Sequence, residues 1–463
     1  MTISRSDRWR GVRRAVAGAL GLLLATAACA NTDPLSDLLT IPGSAGLGAM
    51  TRMERSPYVG GGTRYDLLPL YLYEGDRLFL HASRGGFKVF KNETQRVDIF
   101  LDRRFDGFPA DRIPPSLAGM APRVPSVDLG MSWRYRQPWG TVQAELLHDV
   151  EDASSGSELR LAYAFDWRSG RLALRPSVTL SARDAKLNNY YYGVAPAEAM
   201  PGRPAYAPGA GIDTSMALYG SYDLSERWRL LGGVSVTRLS RAVRASPIVR
   251  QGVYPAVFVG AAYDFGSREK AWEGTRSPTY VKVLHGAAAA DGCHLIRIMT
   301  LQCASIDNVH PTSETGVQVG KPFIEKLGGW PLDFVGYVGL LRHNDSGLQP
   351  NGWQADVFMK AYYYGFPWSA RVRTRLGFGA GVSVAQHVPY AEASSLAATS
   401  RVLNYLEPTI DVSVGDLIGS RALKDTYLGF GVSHRSGIFG SSSLLGNVNG
   451  GSNYLYTYLE MVL

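Results

Sequence analysis

Glu158-Leu159-Arg160-Leu161-Ala162-Tyr163-Ala164-Phe165-Asp166-Trp167 alternates without a break. Leu159, Leu161, Tyr163, Phe165 and Trp167 share one face, and Glu158, Arg160, Ala162, Ala164 and Asp166 the other. After Ser169-Gly170 the rhythm resumes, with Leu172, Leu174, Pro176, Val178 and Leu180 opposite Arg171, Ala173, Arg175, Ser177, Thr179 and Ser181. Successive side chains of a strand point to opposite faces, so the two runs read as a hairpin. Comparable alternations begin near Val127, Thr141, Ala210, Arg227 and Val253, and again near Thr315, Leu332, Trp353, Val372, Pro408, Tyr427 and Asn453. Segments of about ten residues suit strands tilted through a bilayer, whereas soluble sandwich strands usually have about five or six. The pattern predicts an all-β fold of antiparallel transmembrane β-barrels whose apolar face meets lipid.

Composition agrees. The chain has 463 residues with 45% hydrophobic and 19% charged residues, which excludes a disordered chain. Three cysteines cannot make a disulfide scaffold, and the excess of 48 Lys+Arg over 40 Asp+Glu is dispersed, so nucleic acid is not an expected partner. Trp133, Tyr135, Trp139, Trp167, Trp228 and Trp353 stand near strand ends, as interfacial girdles require.

The first thirty residues read as an export signal. Arg5, Arg8, Arg10, Arg13 and Arg14 precede the apolar run Ala15 to Ala28, and Ala28-Cys29-Ala30 offers an A-x-A cleavage site. This run is too short to span about 30 Å of hydrocarbon, and no later stretch has 18 consecutive apolar residues. Residues 1–30 are therefore expected to be a signal peptide, with Asn31 the mature start and lipidation of Cys29 the alternative. The expected location is the outer membrane.

Val253 to Phe265 ends on an aromatic, as final strands of outer-membrane barrels often do, and polar residues follow it. The expected organisation is a first barrel over 31–266 with about ten to twelve strands, a linker over 267–278, and a second, eight-stranded barrel over 279–463. One barrel of some twenty strands is the rival. A complete first unit would bring Phe265 against the strand near Tyr65. Cys293 and Cys303 could form a disulfide in an oxidising compartment, with free thiols the alternative. Arg371, Arg373 and Arg375 are read as lumenal ion-pair partners in preference to an anion passage.

Tyr190-Tyr191-Tyr192-Gly193-Val194, Glu198-Ala199, Pro204-Ala205-Tyr206 and Pro208-Gly209-Ala210-Gly211 resemble a run of the MltA-interacting protein (MipA/OmpV) family of Gram-negative outer membranes. The resemblance continues through Trp228-Arg229-Leu230, Arg238-Leu239, Ala245-Ser246-Pro247-Ile248-Val249 and Tyr263-Asp264-Phe265, and covers most of Tyr58 to Phe265. It implies an outer-membrane scaffold between a lytic murein transglycosylase and a murein synthase, and carries no catalytic residue. Physically, the tyrosine run reads as a strand-to-loop transition with an aromatic anchor, and 192–209 as either a partner-binding loop or an ordinary proline-shaped one.

In the second half, His434 and Ser436 lie two apart, on the face that carries Leu428, Phe430 and Val432. A His-x-Ser on the outer wall of a small barrel resembles the lipid A 3-O-deacylase (PagL) family, which would make Ser436 the nucleophile and His434 its base. An orienting acid is missing: Glu460 lies too far along the next strand, and Glu407 falls on the lumenal side. The alternative is an ordinary strand end with His434 at the headgroups. No G-x-S-x-G, H-E-x-x-H or P-loop is present and the remaining histidines are dispersed, so no cofactor or metal is expected. The resulting reading is a non-enzymatic scaffold for murein-processing enzymes, in contact with lipopolysaccharide. A lipid A ester hydrolase in the second barrel is the alternative, and a passive porin the third.

Overall fold

The computed structural model describes residues 44–267, 277–394, 399–438 and 448–463. The expected signal peptide, Cys29 and most of the expected linker lie outside them. The first sheet comprises β1 (Ser44–Arg55), β2 (Thr63–Glu74), β3 (Leu78–His81), β4 (Arg84–Lys91), β5 (Gln95–Arg103), β6 (Val127–Gln137) and β7 (Gly140–Asp149). It continues with β8 (Ser157–Ala164), β9 (Trp167–Ser169), β10 (Leu172–Arg183), β11 (Gly211–Asp223), β12 (Trp228–Arg238) and β13 (Val253–Ser267). Pairing of β13 with β1 and of β10 with β11 closes it into a 12-stranded barrel in which β9 prolongs β8 along the same neighbour. The break between β8 and β9 falls opposite Pro176, which accepts from Phe165 N but has no N–H to return.

The second barrel is closed by eight strands: β14 (Tyr280–Ala288), β15 (Ser313–Ile324), β16 (Leu332–Asn344), β17 (Gly352–Tyr363), β18 (Thr374–Ala385), β19 (Val402–Ser413), β20 (Thr426–Ser436) and β21 (Gly451–Val462). Among the described residues no helix is long and apolar enough to cross a membrane. The fold is a tandem of antiparallel β-barrels, and the strands rather than helices do the spanning.

The quoted hairpin behaves as its rhythm requires. Leu159, Leu161 and Tyr163 are exposed on the outer wall, while Glu158 and Arg160 are buried inside. Phe265 differs from expectation by one strand: β13 closes on β1, and the strand that carries Tyr65 is the next one round. The five strands before Val127 do not alternate cleanly because the inner face of β2 carries Leu68, Leu70 and Leu72, so both of its faces are apolar.

In the first barrel the turns 92–94, 138–139, 170–171 and 224–227 lie at one end and the long connections 104–126, 184–210 and 239–252 at the other, which places the short turns toward the periplasm. In the second barrel the connection 289–312 marks the long-loop end. Trp133, Trp139, Trp167 and Trp228 form a girdle at the short-turn end of the first barrel, with Trp139 against Tyr163 and Trp228 against Tyr263 at 6.2 and 5.2 Å. Trp353 stands at the long-loop end of the second, also exposed.

Both lumens are filled. In the first, Arg84 meets Asp102 and Glu145 at 2.9 and 2.6 Å, and Arg104 meets Asp128 and Glu158 at 2.6 and 2.7 Å. The opposite inner wall is apolar: Met50, Leu68, Leu70, Leu231 and Ala262 form one cluster with Phe105 and Phe258. In the second, Glu407 receives Lys282 and Lys360 at 2.9 and 2.6 Å, all three at 0% side-chain exposure. Arg375 pairs with Asp411 and Glu460 at 2.8 and 2.7 Å, so this arginine is an interior ion-pair partner. Arg373 instead leaves the lumen and pairs with Asp416 and Asp425 at a turn.

One stretch of wall is incomplete. β2 pairs with β1 along its whole length, but with β3 only at Leu72, Tyr73 and Glu74. The β3–β4 hairpin turns at Ala82 (φ 53°), and Ala82 N donates to Tyr71 O. Among the described residues, Thr63 to Leu70 have no strand on their second side, an opening of roughly 25 Å along the strand. Pro69 lies in this stretch, where a missing N–H is harmless. Unpaired backbone cannot face hydrocarbon. The segment around Phe105 and Gly107 borders the upper part, with Arg64 Nη1 donating to Gly107 O at 2.7 Å. The second barrel borders the lower part. Tyr71 donates to Asn404 Oδ1, and Leu403, Val448 and Ile438 join the cluster of Leu68, Leu70, Leu72 and Ala82. Below this, Phe265 packs on Phe334 at 4.5 Å.

Candidate functional site

The long connections of the first barrel, 56–62, 104–126, 184–210 and 239–252, fold into a cap over its outer end. The cap has its own core: Tyr58, Phe108, Leu117, Met120, Leu187, Tyr191, Tyr192, Val194, Val243 and Ile248 are all buried in one cluster.

The tyrosine run is not a strand end. Ala185–Tyr192 is a helix, α1, whose N-cap Asp184 accepts from Leu187 N at 2.8 Å. The alternating pattern gives way because Asp184 satisfies the first free N–H groups of a turn, and a helix then brings Leu187, Tyr191 and Tyr192 onto the cap core. Tyr58 stacks on Tyr192 at 5.6 Å, meets Phe108 edge-on at 4.8 Å and donates to Tyr191 O at 3.1 Å. Gly193 follows because a Cβ there would stand 2.3 Å from Asn189 O. Ser246 Oγ donates to Tyr192 O at 2.6 Å, which ties in the 239–252 segment.

On the cap surface a groove of about 670 Å³ lies among Arg123, Asn189, Tyr190, Val194, Glu198 and Tyr206. Arg123 pairs with Glu198 at 2.6 Å, and Glu198 also accepts from Ala121 N and Ala195 N at 2.9 and 3.0 Å. Burial alone would raise the Glu198 carboxyl, but the guanidinium and the two N–H groups outweigh it and hold it below its usual range. Asp106, beneath the cap, is likewise lowered: Arg183 and Arg104 prevail over burial. These charges were not singled out from sequence, because a main partner of each is distant: Arg183 lies 77 residues from Asp106. For Arg123 and Glu198 the separation is 75.

The residues that carry the family resemblance therefore have two destinations. Tyr190 to Gly211 and Ala245 to Val249 build the cap and its groove. Trp228 to Leu230 and Tyr263 to Phe265 build the girdle at the other end, where Arg229 pairs with Asp223 at 2.7 Å.

In the second barrel, His434 and Ser436 lie on the outer wall at the long-loop end of β20, with Arg435 turned inward to Glu392 at 3.0 Å. The His434 Nδ1 bonds go to Asn453 Oδ1 and Ser452 O at 2.8 and 3.1 Å, and Ser436 Oγ accepts from Ile438 N at 3.2 Å. Glu407 and Glu460 are lumenal and committed to Lys282, Lys360 and Arg375. Cys293 and Cys303 are joined in a disulfide, Cα atoms 5.6 Å apart, in the long connection 289–312.

Fold and surface together define an outer-membrane β-barrel protein with filled lumens and an elaborated outer end. Residues 46–265 match the family described as MltA-interacting protein MipA, so the first barrel is a MipA-family domain. The outer membrane protein YiaT of Escherichia coli O157:H7, itself described as putative, is 25% identical over 223 residues, 47% of this chain and 90% of that one. The MltA-interacting protein of Escherichia coli K12 is 26% identical over 249 residues, covering 53% of this chain and 97% of its own. OmpV of Vibrio cholerae serotype O1 is 27% identical over 202 residues, 43% and 79% of the two chains. These matches support the MipA/OmpV resemblance of the first half. The resemblance of the second half to lipid A deacylases finds no support among them.

Proposed function

We propose that the protein is a binding and organising component of the outer membrane whose first barrel docks a murein-processing enzyme. The observation that carries this is the 26% identity, across 97% of its length, to a protein named for interaction with MltA, a lytic murein transglycosylase. The filled lumen supports it, because a barrel packed with ion pairs and apolar side chains offers surfaces rather than a passage. Murein lies on the periplasmic side, so the docking surface in this reading is the short-turn rim, where Trp139, Arg168 and Trp228 are exposed. A murein synthase as second client extends the same proposal. Mild crosslinking in cells, purification of the full chain and mass spectrometry of captured proteins test it: murein hydrolases or synthases are expected, and their absence sinks the scaffold.

A second reading, lipid A ester hydrolysis by His434 and Ser436, is favoured by one observation: both stand on the outer wall at the end facing the outer leaflet. Lipid A from cells overproducing the protein would lack an acyl chain, and Ser436→Ala would restore it. Unchanged lipid A removes this reading. Passive diffusion is the least supported, given Glu407 and its two lysines across the second lumen.

A further inference from the structure

The connection 289–312 leaves the outer end of β14, and its segment 293–303 lies against the outer wall of the second barrel. Lower on that wall, Leu428 and Phe430 of β20 and Leu459 and Met461 of β21 are between 41 and 50% exposed, as residues meeting lipid should be. Val432 and Leu455 continue the same two rows and face each other across the strands, yet they are only 3% and 7% exposed. The connection covers them: Cys293 and Ile298 join both in one buried cluster, with Leu295 and Cys303 packed beside it. Val432 stands four residues before the end of β20 at Ser436, so this contact sits roughly 13 Å down the strand from its outer end.

The segment is apolar on its far side too. Leu295–Met299 forms a short helix, α2. Leu295 and Ile298 turn to the wall, while Ile296 and Met299 point away from it and are 69% and 51% exposed. A helix that met water on that side would carry polar residues there, whereas apolar residues all round mark a core or hydrocarbon. Its one charged residue, Arg297, folds back and donates to Gly292 O at 3.0 Å. The chain then turns at Leu301, whose φ of 58° is a left-handed conformation that favours glycine or asparagine. A leucine is held there instead, 92% exposed, and the Cys293–Cys303 bridge closes the chain behind it.

We propose that this disulfide-closed segment is a lipid anchor of the second barrel, lying in the outer leaflet with Ile296, Met299 and Leu301 among the acyl chains below the headgroups. Lipid is the occupant because the segment is laid on a wall that already faces lipid, and its outer side chains carry that apolar surface outward. The bridge holds Leu301 at a fixed depth. The anchor rests on neither the scaffold nor the esterase reading.

The full chain carrying Leu301→Cys, labelled with a polarity-sensitive dye while the native disulfide is intact and refolded into phosphatidylcholine vesicles, tests it. The emission should be blue-shifted, quenched by a lipid with a spin label near the headgroup end of its acyl chain, and nearly insensitive to aqueous iodide. The same dye at Met200→Cys, exposed in the cap of the first barrel, should show the opposite pattern. Adding Ile296→Asp and Met299→Asp should shift the Leu301 dye to iodide quenching, with gel migration showing both barrels folded. Iodide quenching at Leu301 as strong as at Met200 overturns the proposal, as does lipid quenching that survives both aspartates unchanged. Absence of lipid quenching together with crosslinks between chains through Leu301→Cys would also overturn it, by showing that a second copy covers the segment.

Discussion

The two barrels solve the same problem, an interior that must be filled, in different ways. The smaller one holds a charged and aromatic core at near-zero exposure, with Tyr337, Tyr362 and Tyr405 around Lys282, Lys360 and Glu407. The larger one splits its lumen into an ion-paired wall and an apolar wall, leaves one side of β2 without a described neighbouring strand from Thr63 to Leu70, and closes its outer end with loops. An eight-stranded barrel is just narrow enough for side chains to meet across it, whereas twelve strands leave space that only inserted segments such as Phe105 can occupy. The cap and its groove accordingly belong to the larger unit, and the fully buried ion-paired core to the smaller.

This contrast can be broken experimentally, most severely at Glu407. Replacing it by leucine leaves two buried ammonium groups without their partner, and should destabilise the second barrel by about 3–5 kcal/mol. Urea unfolding in lipid vesicles, followed by gel migration, should show the second barrel failing while the first persists; coincident loss of both would mean that they fold as one unit. Tyr192→Ala should empty the cap core at a cost of similar order, about 3–5 kcal/mol of cap stability, because an aromatic at 1% exposure is lost. Hydrogen exchange over 184–210 should rise while strand protection stays; unchanged exchange would show that the cap does not rely on this core.

Cys303→Ser should cost about 2–3 kcal/mol locally, from a chain loop of ten residues. The expected readout is faster protease nicking between Ala289 and Thr312 with both barrels intact. The smallest effect concerns pH. The Glu198 carboxyl is depressed in the folded cap, so its contribution is present above the unfolded value of about 4.3 and is lost as pH falls through the lower folded value. Protection factors over 195–206, corrected for the intrinsic pH dependence of exchange, should stay flat from pH 7 to 5 and fall only in stronger acid. A fall near neutrality would contradict the Arg123–Glu198 assignment.

The Glu158–Trp167 rhythm was sufficient for the class of fold, because a period of two marks a strand with one apolar face and about ten residues of it exceed the usual soluble strand. The same rule failed between Ser44 and Arg103, where β2 turns leucines to both sides, and at Tyr190–Tyr192, where a helix replaces the expected strand end. His434 and Ser436 were placed on the correct face by parity alone, yet their hydrogen bonds to Asn453 and Ile438 depend on strand register and the turn that follows.

Local alternation thus determined that this chain spans a membrane with strands, and roughly where each unit ends. Which charges meet inside, how distant loops share the cap core, and that among the described residues Thr63 to Leu70 have a strand on one side only were decided by tertiary structure. Those features join residues tens to hundreds of positions apart, as Tyr71 and Asn404 are, and no periodicity within one strand carries information about its partners across the barrel.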